Sequence, residues 1–213
     1  MKTKNVMILV AHADDESLGV GGYIPQLIAR NYRVSVVIAS NGLLTVRGIE
    51  QDNRSDVYKA CKILGVDKIH FLDYEDQKFD KYPIADIANS VSKLRIDPDL
   101  IISHVSTDLN KDHQIIADVA KIIGRPKHKP ITILGCEIPN TSAWNAIPFQ
   151  ANYYVNIEKT LKLKIKAFSQ YRHELQKFPH PWSQRGLTVL AQMRGMEAGC
   201  QYAEGFQVIR AFG

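Results

Sequence analysis

Five short runs rich in β-branched and aliphatic residues punctuate the chain: Val6–Ala11, Val34–Ser40, Lys68–Leu72, Leu100–His104 and Ile131–Cys136. Longer amphipathic stretches separate them, at Leu18–Arg30, Ile49–Leu64, Pro83–Leu94 and Asp112–Ile123. That alternation is the rhythm of parallel strands joined by crossover helices. Gly65 and Gly124 follow the last turn of two of these stretches, and Asp97-Pro98 lies just beyond another, as helix stop signals do. The expected fold is α/β: a three-layer Rossmann-like arrangement with a mostly parallel central sheet flanked by helices. In such sheets ligands bind at the carboxyl ends of the strands, so the active site is expected there.

The chain has 213 residues, 45% hydrophobic and 23% charged, enough to bury the core of one domain. A single domain over residues 1–213 is expected. The basic, turn-rich Gly124–Pro130 reads as a loop, because the strand pattern resumes at Ile131. After Cys136 the character changes. A polar, Pro-containing loop (Glu137–Pro148) leads to a short strand at Tyr153–Ile157 and helices at Glu158–His173 and Ser183–Gln201. Leu161, Ile165 and Phe168 recur at helical spacing, so residues 137–213 are expected to form a cap on the substrate side of the same domain.

Charge and cysteine content exclude several classes. The formal net charge of +5 comes without a long basic tail or a basic stripe interleaved with aromatics, so no nucleic-acid partner is expected. Lys159, Lys162, Lys164 and Lys166 read as the solvated face of one helix. The three cysteines, Cys61, Cys136 and Cys200, lie far apart among apolar neighbours and form neither a disulfide framework nor a C-x-x-C metal site. The apolar run Val6–Ala11 is too brief for a signal-peptide core or an integral membrane segment, so a cytoplasmic location is expected. The sequence leaves a homo-oligomer open.

Two clusters carry the chemistry. Ala11-His12-Ala13-Asp14-Asp15-Glu16 follows the first strand, placing one imidazole and three consecutive carboxylates at a carboxyl end. Like charges this close repel unless a cation neutralises them. The second cluster follows the fourth strand at the same edge: His104, then Asp108-Leu109-Asn110-Lys111-Asp112-His113. Its D-x-N-x-D spacing opens a calcium loop, but the sixth residue is His113 where a Gly is needed and the twelfth is Val119 where a Glu is needed. Imidazole with carboxylate donors suits zinc or a similar divalent ion, and iron(II) and cobalt accept the same set. Gly19-Val20-Gly21-Gly22 is not G-x-G-x-x-G, and the preceding acids would repel a pyrophosphate. These glycines read as close-packing residues.

The first cluster resembles the A-H-[PA]-D-D-E signature of the PIG-L/LmbE-like zinc-dependent N-acetylglucosaminyl deacetylases, and Asp112-His113 resembles their second signature. The resemblance runs on through Glu137 with Thr141-Ser142, Phe149–Asn152, Tyr171, Glu174, Phe178–Pro181, Arg194-Gly195 and Ala203–Phe206. It implies that His12, Asp15 and His113 hold Zn2+ and that Asp14, beside the metal but not on it, is the general base. The implied enzyme is a metal-dependent amidase that removes the N-acetyl group from an amino sugar, a small-molecule substrate that is free or joined to a glycoside, lipid or nucleotide.

One position departs from the family. Some relatives carry a His three residues before the ligand His of the second motif, as acid or oxyanion donor, and this chain has Asn110. An amide donates a hydrogen bond but does not shuttle protons at neutral pH. His180, between two prolines, is the first candidate to supply the imidazole, and His104 the second. Arg54, Asn110 and Asp112 are candidates for substrate contact; for Arg54 the alternative is an ion pair, as it is for Arg194. Two other readings stay open: a metal-dependent hydrolase of a different bond, and a non-catalytic sugar-binding protein of the same fold.

Overall fold

The computed structural model describes residues 3–46, 49–66 and 68–212. Its centre is a seven-stranded sheet in the order β5-β2-β1-β6-β7-β9-β8. The strands are β1 (Asn5–Val10), β2 (Arg33–Ser40), β5 (Lys68–Tyr74), β6 (Leu100–Ser103), β7 (Thr132–Cys136), β8 (Tyr153–Asn156) and β9 (Ala203–Arg210). The first five pair in parallel, while β9 runs antiparallel to both β7 and β8. Successive residues of β1 feed different cores. Val6, Ile8 and Val10 face one side with α1 (Asp15–Val20), α2 (Ile24–Ala29), α3 (Arg54–Leu64) and α7 (Leu161–Phe168). Met7 and Leu9 face the other with α4 (Ile84–Lys93) and α5 (Lys111–Ile123). A strand buried on both faces must be apolar throughout, which is why β1 reads Val-Met-Ile-Leu-Val.

The α/β expectation therefore holds, with three adjustments. The stretch expected as one helix over Leu18–Arg30 is two short helices, because the chain turns sharply at Gly21-Gly22. A Cβ on Gly22 would come within 2.6 Å of Ile157 Cγ2, so β8's end can approach only because that position is Gly. The helix expected from Ile49 begins only at Arg54. Before it, β3 (Leu43–Val46) and β4 (Ile49–Asp52) form an antiparallel pair outside the main sheet. Finally, residues 137–213 contribute more than a cover. Two of their strands, β8 and the unforeseen β9, extend the central sheet, while α6 (Pro139–Ala143), α7 and α8 (Gln184–Ala198) pack around it. β9 escaped notice because its β-branched residues are confined to Val208 and Ile209. Among the described residues, no helix is long and apolar enough to cross a membrane.

The strand order places a switch point between β1 and β6. The connection after β1 leads toward β2 on one side, and the chain returns to lay β6 on the other. Such a point opens a crevice outside the strand ends. The two motifs emerge there, at Ala11–Asp15 after β1 and at His104–His113 after β6.

Candidate metal centre

Three donor atoms converge in the crevice. His12 Nδ1 lies 3.2 Å from His113 Nε2, and Asp15 Oδ2 lies 3.6 Å from the first and 3.5 Å from the second. Tetrahedral coordination with bonds of about 2.0–2.1 Å requires donors about 3.3–3.4 Å apart, so this triangle has the edge length of a zinc-type site. Asp15 is fixed by the His12 backbone N–H, which donates to its Oδ2 at 2.8 Å. His113 rides on α5, one turn past an N-cap in which Asn110 accepts from the Asp112 and His113 N–H groups.

Both imidazoles are oriented from behind by carboxylates. His113 Nδ1 lies 3.1 Å from Asp108 Oδ1, and His12 Nε2 lies 3.0 Å from Asp112 Oδ2 and 3.2 Å from Asp76 Oδ1. This network assigns the ring protons to the outer nitrogens, turning the lone pairs of His12 Nδ1 and His113 Nε2 toward each other. Two facing lone pairs 3.2 Å apart require something positive between them. Burial disfavours charge on His113, yet Asp15 and Asp108 outweigh it and push the ring up to about 10. A field that holds a proton on a buried imidazole also attracts a divalent cation. The donor set thus fits a metal ion. Two further groupings, His104 with Asp108 and His113, and His12 with Asp76 and Asp112, share its members. They form the shell around it.

The remaining acids of the first motif have separate surroundings. Asp14 is buried, with a φ of 113°, a left-handed conformation uncommon outside Gly. Burial, then the charges of Asp15, Glu174, Glu16 and Asp76, push its carboxyl well above its ordinary value. Asp15 is the opposite case: burial would raise it, but His113 and His104 outweigh burial and hold it well below. Glu16 needs no cation. It accepts from the Ser17 and Tyr171 hydroxyls, each at 2.6 Å, and from the Asp14 N–H at 3.1 Å. The charge conflict read from three consecutive acids is thus resolved by hydrogen bonds for one of them.

The other expected site residues fall in distinct places. Asp112 is buried with both oxygens engaged, by His12 and by the Phe79 N–H at 3.0 Å, so it orients a ligand instead of facing open space. Asn110 caps α5, and its amide donates to Gln77 Oε1 at 3.1 Å. Arg54 is exposed and bidentate on Asp52, the ion-pair alternative. Arg194 is likewise held by Glu137 and Glu197. His180 follows the cis Phe178–Pro179 bond; its Nδ1 accepts from the Trp182 N–H at 3.0 Å, and its ring meets Trp144 edge-on. His104 is fully buried, accepts from the Ala11 N–H and stacks on His113 at 3.9 Å, which makes it a wall of the site. Burial and His113 lower its pKa.

Two residues were missed by sequence reasoning, and a third, Glu174, was matched to the family without a role. Asp76 and Gln77 follow β5, the same kind of strand end that drew attention to the other motifs, so the placement rule could have found them. Gln77 adopts a φ of 57° and its Nε2 lies 3.3 Å from His12 Nε2. Glu174 reaches the site from the segment between α7 and α8, and nothing local announces that; burial, then Asp76, raise its carboxyl against the hydrogen bond from Asn53.

The sequence and the fold both have counterparts among known proteins. The family model described as PIG-L, GlcNAc-PI de-N-acetylase, matches residues 7–123, more than half of the chain and both motifs. The chain belongs to the PIG-L family. A diacetylchitobiose deacetylase of Thermococcus kodakarensis is 23% identical, covering 97% of this chain and 83% of its own length. Among solved structures, N,N'-diacetylchitobiose deacetylase from Pyrococcus horikoshii superposes with a TM-score of 0.79 at 21% identity, over 98% of this chain and 84% of that one. GalB, the 4-carboxy-2-hydroxymuconate hydratase of Pseudomonas putida, reaches 0.80 at 20% identity, over 99% and 98%. At these identities the structural likeness establishes the PIG-L fold.

Proposed function

We propose that this PIG-L protein is a zinc-dependent deacetylase that hydrolyses the acetamide of an N-acetylated amino sugar. The observation that carries the reading is the triangle of His12, Asp15 and His113 with the non-ligand carboxylate of Asp14 next to it in sequence. Three protein donors leave one tetrahedral position for chemistry, the pattern of a catalytic zinc. The side chain of His12 keeps 12% of its surface in solvent, against 2% for Asp15, so the site opens on the His12 side. Two of the relatives named above, deacetylases of an acetylated disaccharide, support the substrate class.

A zinc ion supplies Lewis-acid polarisation of the acetamide and makes water easier to deprotonate. The chain's own residues do the rest. Asp14, with its raised pKa, takes the proton of the attacking water and returns it to the departing amine. Asp108 and Asp112 hold the two ligand rings in place. His180, whose Nδ1 is occupied by the Trp182 N–H, carries the proton of a neutral ring on Nε2 and is proposed as the donor to the developing oxyanion that Asn110 does not provide. Arg54 and Arg194 have no part in this reading, since carboxylates already hold them.

The test is to incubate the purified zinc-loaded protein with a panel of N-acetyl sugars and to measure free acetate. Because one structural neighbour is a hydratase, acetate itself is the decisive product. Acetate release that disappears on chelation and returns with zinc is the expected result. No release from any sugar, with metal bound, overturns the proposal.

A further inference from the structure

Two segments from different parts of the chain are tied to residues that surround the site and meet in one contact. The first follows β7: Thr141 of α6 donates to Asp108 Oδ2 at 2.9 Å, and Asp108 holds His113. The second joins α7 to α8: Tyr171 donates to Glu16, and Glu174 lies close enough to Asp14, Asp76 and His12 for their charges to act on one another. Beyond these anchors, Trp144 of the first segment and His180 of the second stand edge to face, ring centroids 5.2 Å apart at 88°. Asn145, next to Trp144, donates to the Thr107 carbonyl, tying this rim to the loop that carries Asp108. Trp144 nevertheless leaves 58% of its surface in water, and Leu109 and Ile147 from the same two loops leave 53% each.

We infer that Trp144, braced by His180, is the platform for whatever is joined to the acetylated sugar, and that this group is an uncharged sugar ring. The inference rests on the deacetylase reading and adds the nature of the neighbouring group. A pyranose ring shows one face of C–H groups, which an indole covers while the hydroxyls keep their hydrogen bonds at the edge. A nucleotide or phospholipid carrier would instead bring phosphate, which calls for unengaged cations. Arg54 and Arg194 are held by Asp52, Glu137 and Glu197, and the crevice concentrates Asp14, Asp76 and Glu174. A phosphate would meet repulsion, whereas a neutral ring would not.

The experiment compares wild type with Trp144→Ala and Trp144→Phe on free N-acetylglucosamine, its β-linked disaccharide and a nucleoside diphosphate sugar. Trp144→Ala is expected to raise KM for the disaccharide about tenfold and to leave KM for the free sugar unchanged, the mark of lost binding to the second ring, while any loss of kcat through the unbraced His180 falls on both substrates alike. Trp144→Phe retains part of the platform and falls between. In parallel, the deacetylated disaccharide is expected to change tryptophan fluorescence in wild type and not in Trp144→Ala. Equal effects on KM for free sugar and disaccharide, no effect on either KM, or a preference of the wild type for the nucleoside diphosphate sugar overturns the inference. Should no sugar release acetate while the indole still reports disaccharide binding, the deacetylase reading falls and the platform stands.

Discussion

His12 Nδ1 and His113 Nε2 lie 3.2 Å apart although 101 positions separate them in sequence. Neither loop brings them there alone; the parallel pairing of β1 with β6 does, by ending both strands at the same edge. The expected consequence is one divalent ion per chain, measured by elemental analysis, and its loss in His113→Ala. Because the ion binds the folded chain, a thousandfold excess over Kd is expected to stabilise the fold by about 4 kcal/mol, and chelation to lower Tm accordingly. Asp108→Asn keeps the three ligands but removes the negative charge 3.1 Å behind His113, and is expected to cost about 10–100-fold in metal affinity. A His113→Ala protein that still retains a full equivalent of metal would remove the site.

Asp14→Asn separates chemistry from metal binding. Asn is isosteric and also tolerates the left-handed backbone that position 14 adopts, so the fold and the metal content are expected to be retained. Turnover is expected to fall about 10²–10⁴-fold, the usual contribution of a positioned general base. Acetate release at the wild-type rate in this variant would transfer the base role elsewhere.

The parts of this site that were legible in the sequence are those that a strand end delivers. His12, Asp14 and Asp15 directly follow β1, and His113 opens α5 after β6, so the rule about carboxyl ends placed all four. The roles of Asp112 and Arg54 were harder to read, because a carboxylate or a guanidinium announces charge but not which partner it meets. Only the structure shows Asp112 behind His12 and Arg54 turned to Asp52. The resemblance picked out Glu174 and Ala203–Phe206, but the place of Glu174 at the site and the strand β9 were illegible for another reason. Their placement depends on how the last third folds back onto the sheet, and that long-range packing leaves no local periodicity. Glu16 shows the limit of arguing from charge density, since hydrogen bonds from Ser17, Tyr171 and the Asp14 N–H satisfy it without any cation.

Glu174 predicts a pH effect whose sign is fixed. Asp14 acts as base only when deprotonated, so activity rises with pH through its pKa. The negative charge of Glu174 disfavours a second negative charge on Asp14 and pushes that pKa upward. Glu174→Gln removes the charge while keeping an amide able to meet Asn53, so the acidic limb of kcat/KM is expected to move to lower pH. A limb that stays in place, or moves upward, would separate Glu174 from the base.

Away from the site, Lys164, expected on the solvated face of its helix, is instead buried in an ion pair with Glu204 at 2.6 Å. Glu204 also accepts from the Gly22 and Tyr23 N–H groups at 2.8 Å each, so one carboxylate ties α7 and β9 to the turn between α1 and α2. That turn leads directly from the first metal motif. Removing only the cation leaves Glu204 charged in a dry interior, and Lys164→Ala is expected to cost about 3–5 kcal/mol, read as a lower denaturation midpoint in urea. Replacing both partners by neutral residues of similar shape, Lys164→Met with Glu204→Gln, removes the charge conflict while Gln retains one acceptor for the turn. The double variant is therefore expected to be more stable than Lys164→Ala. If the double variant is instead the weaker of the two, the hydrogen bonds that a charged Glu204 accepts from the Gly22 and Tyr23 N–H groups outweigh the cost of burying its charge unpaired.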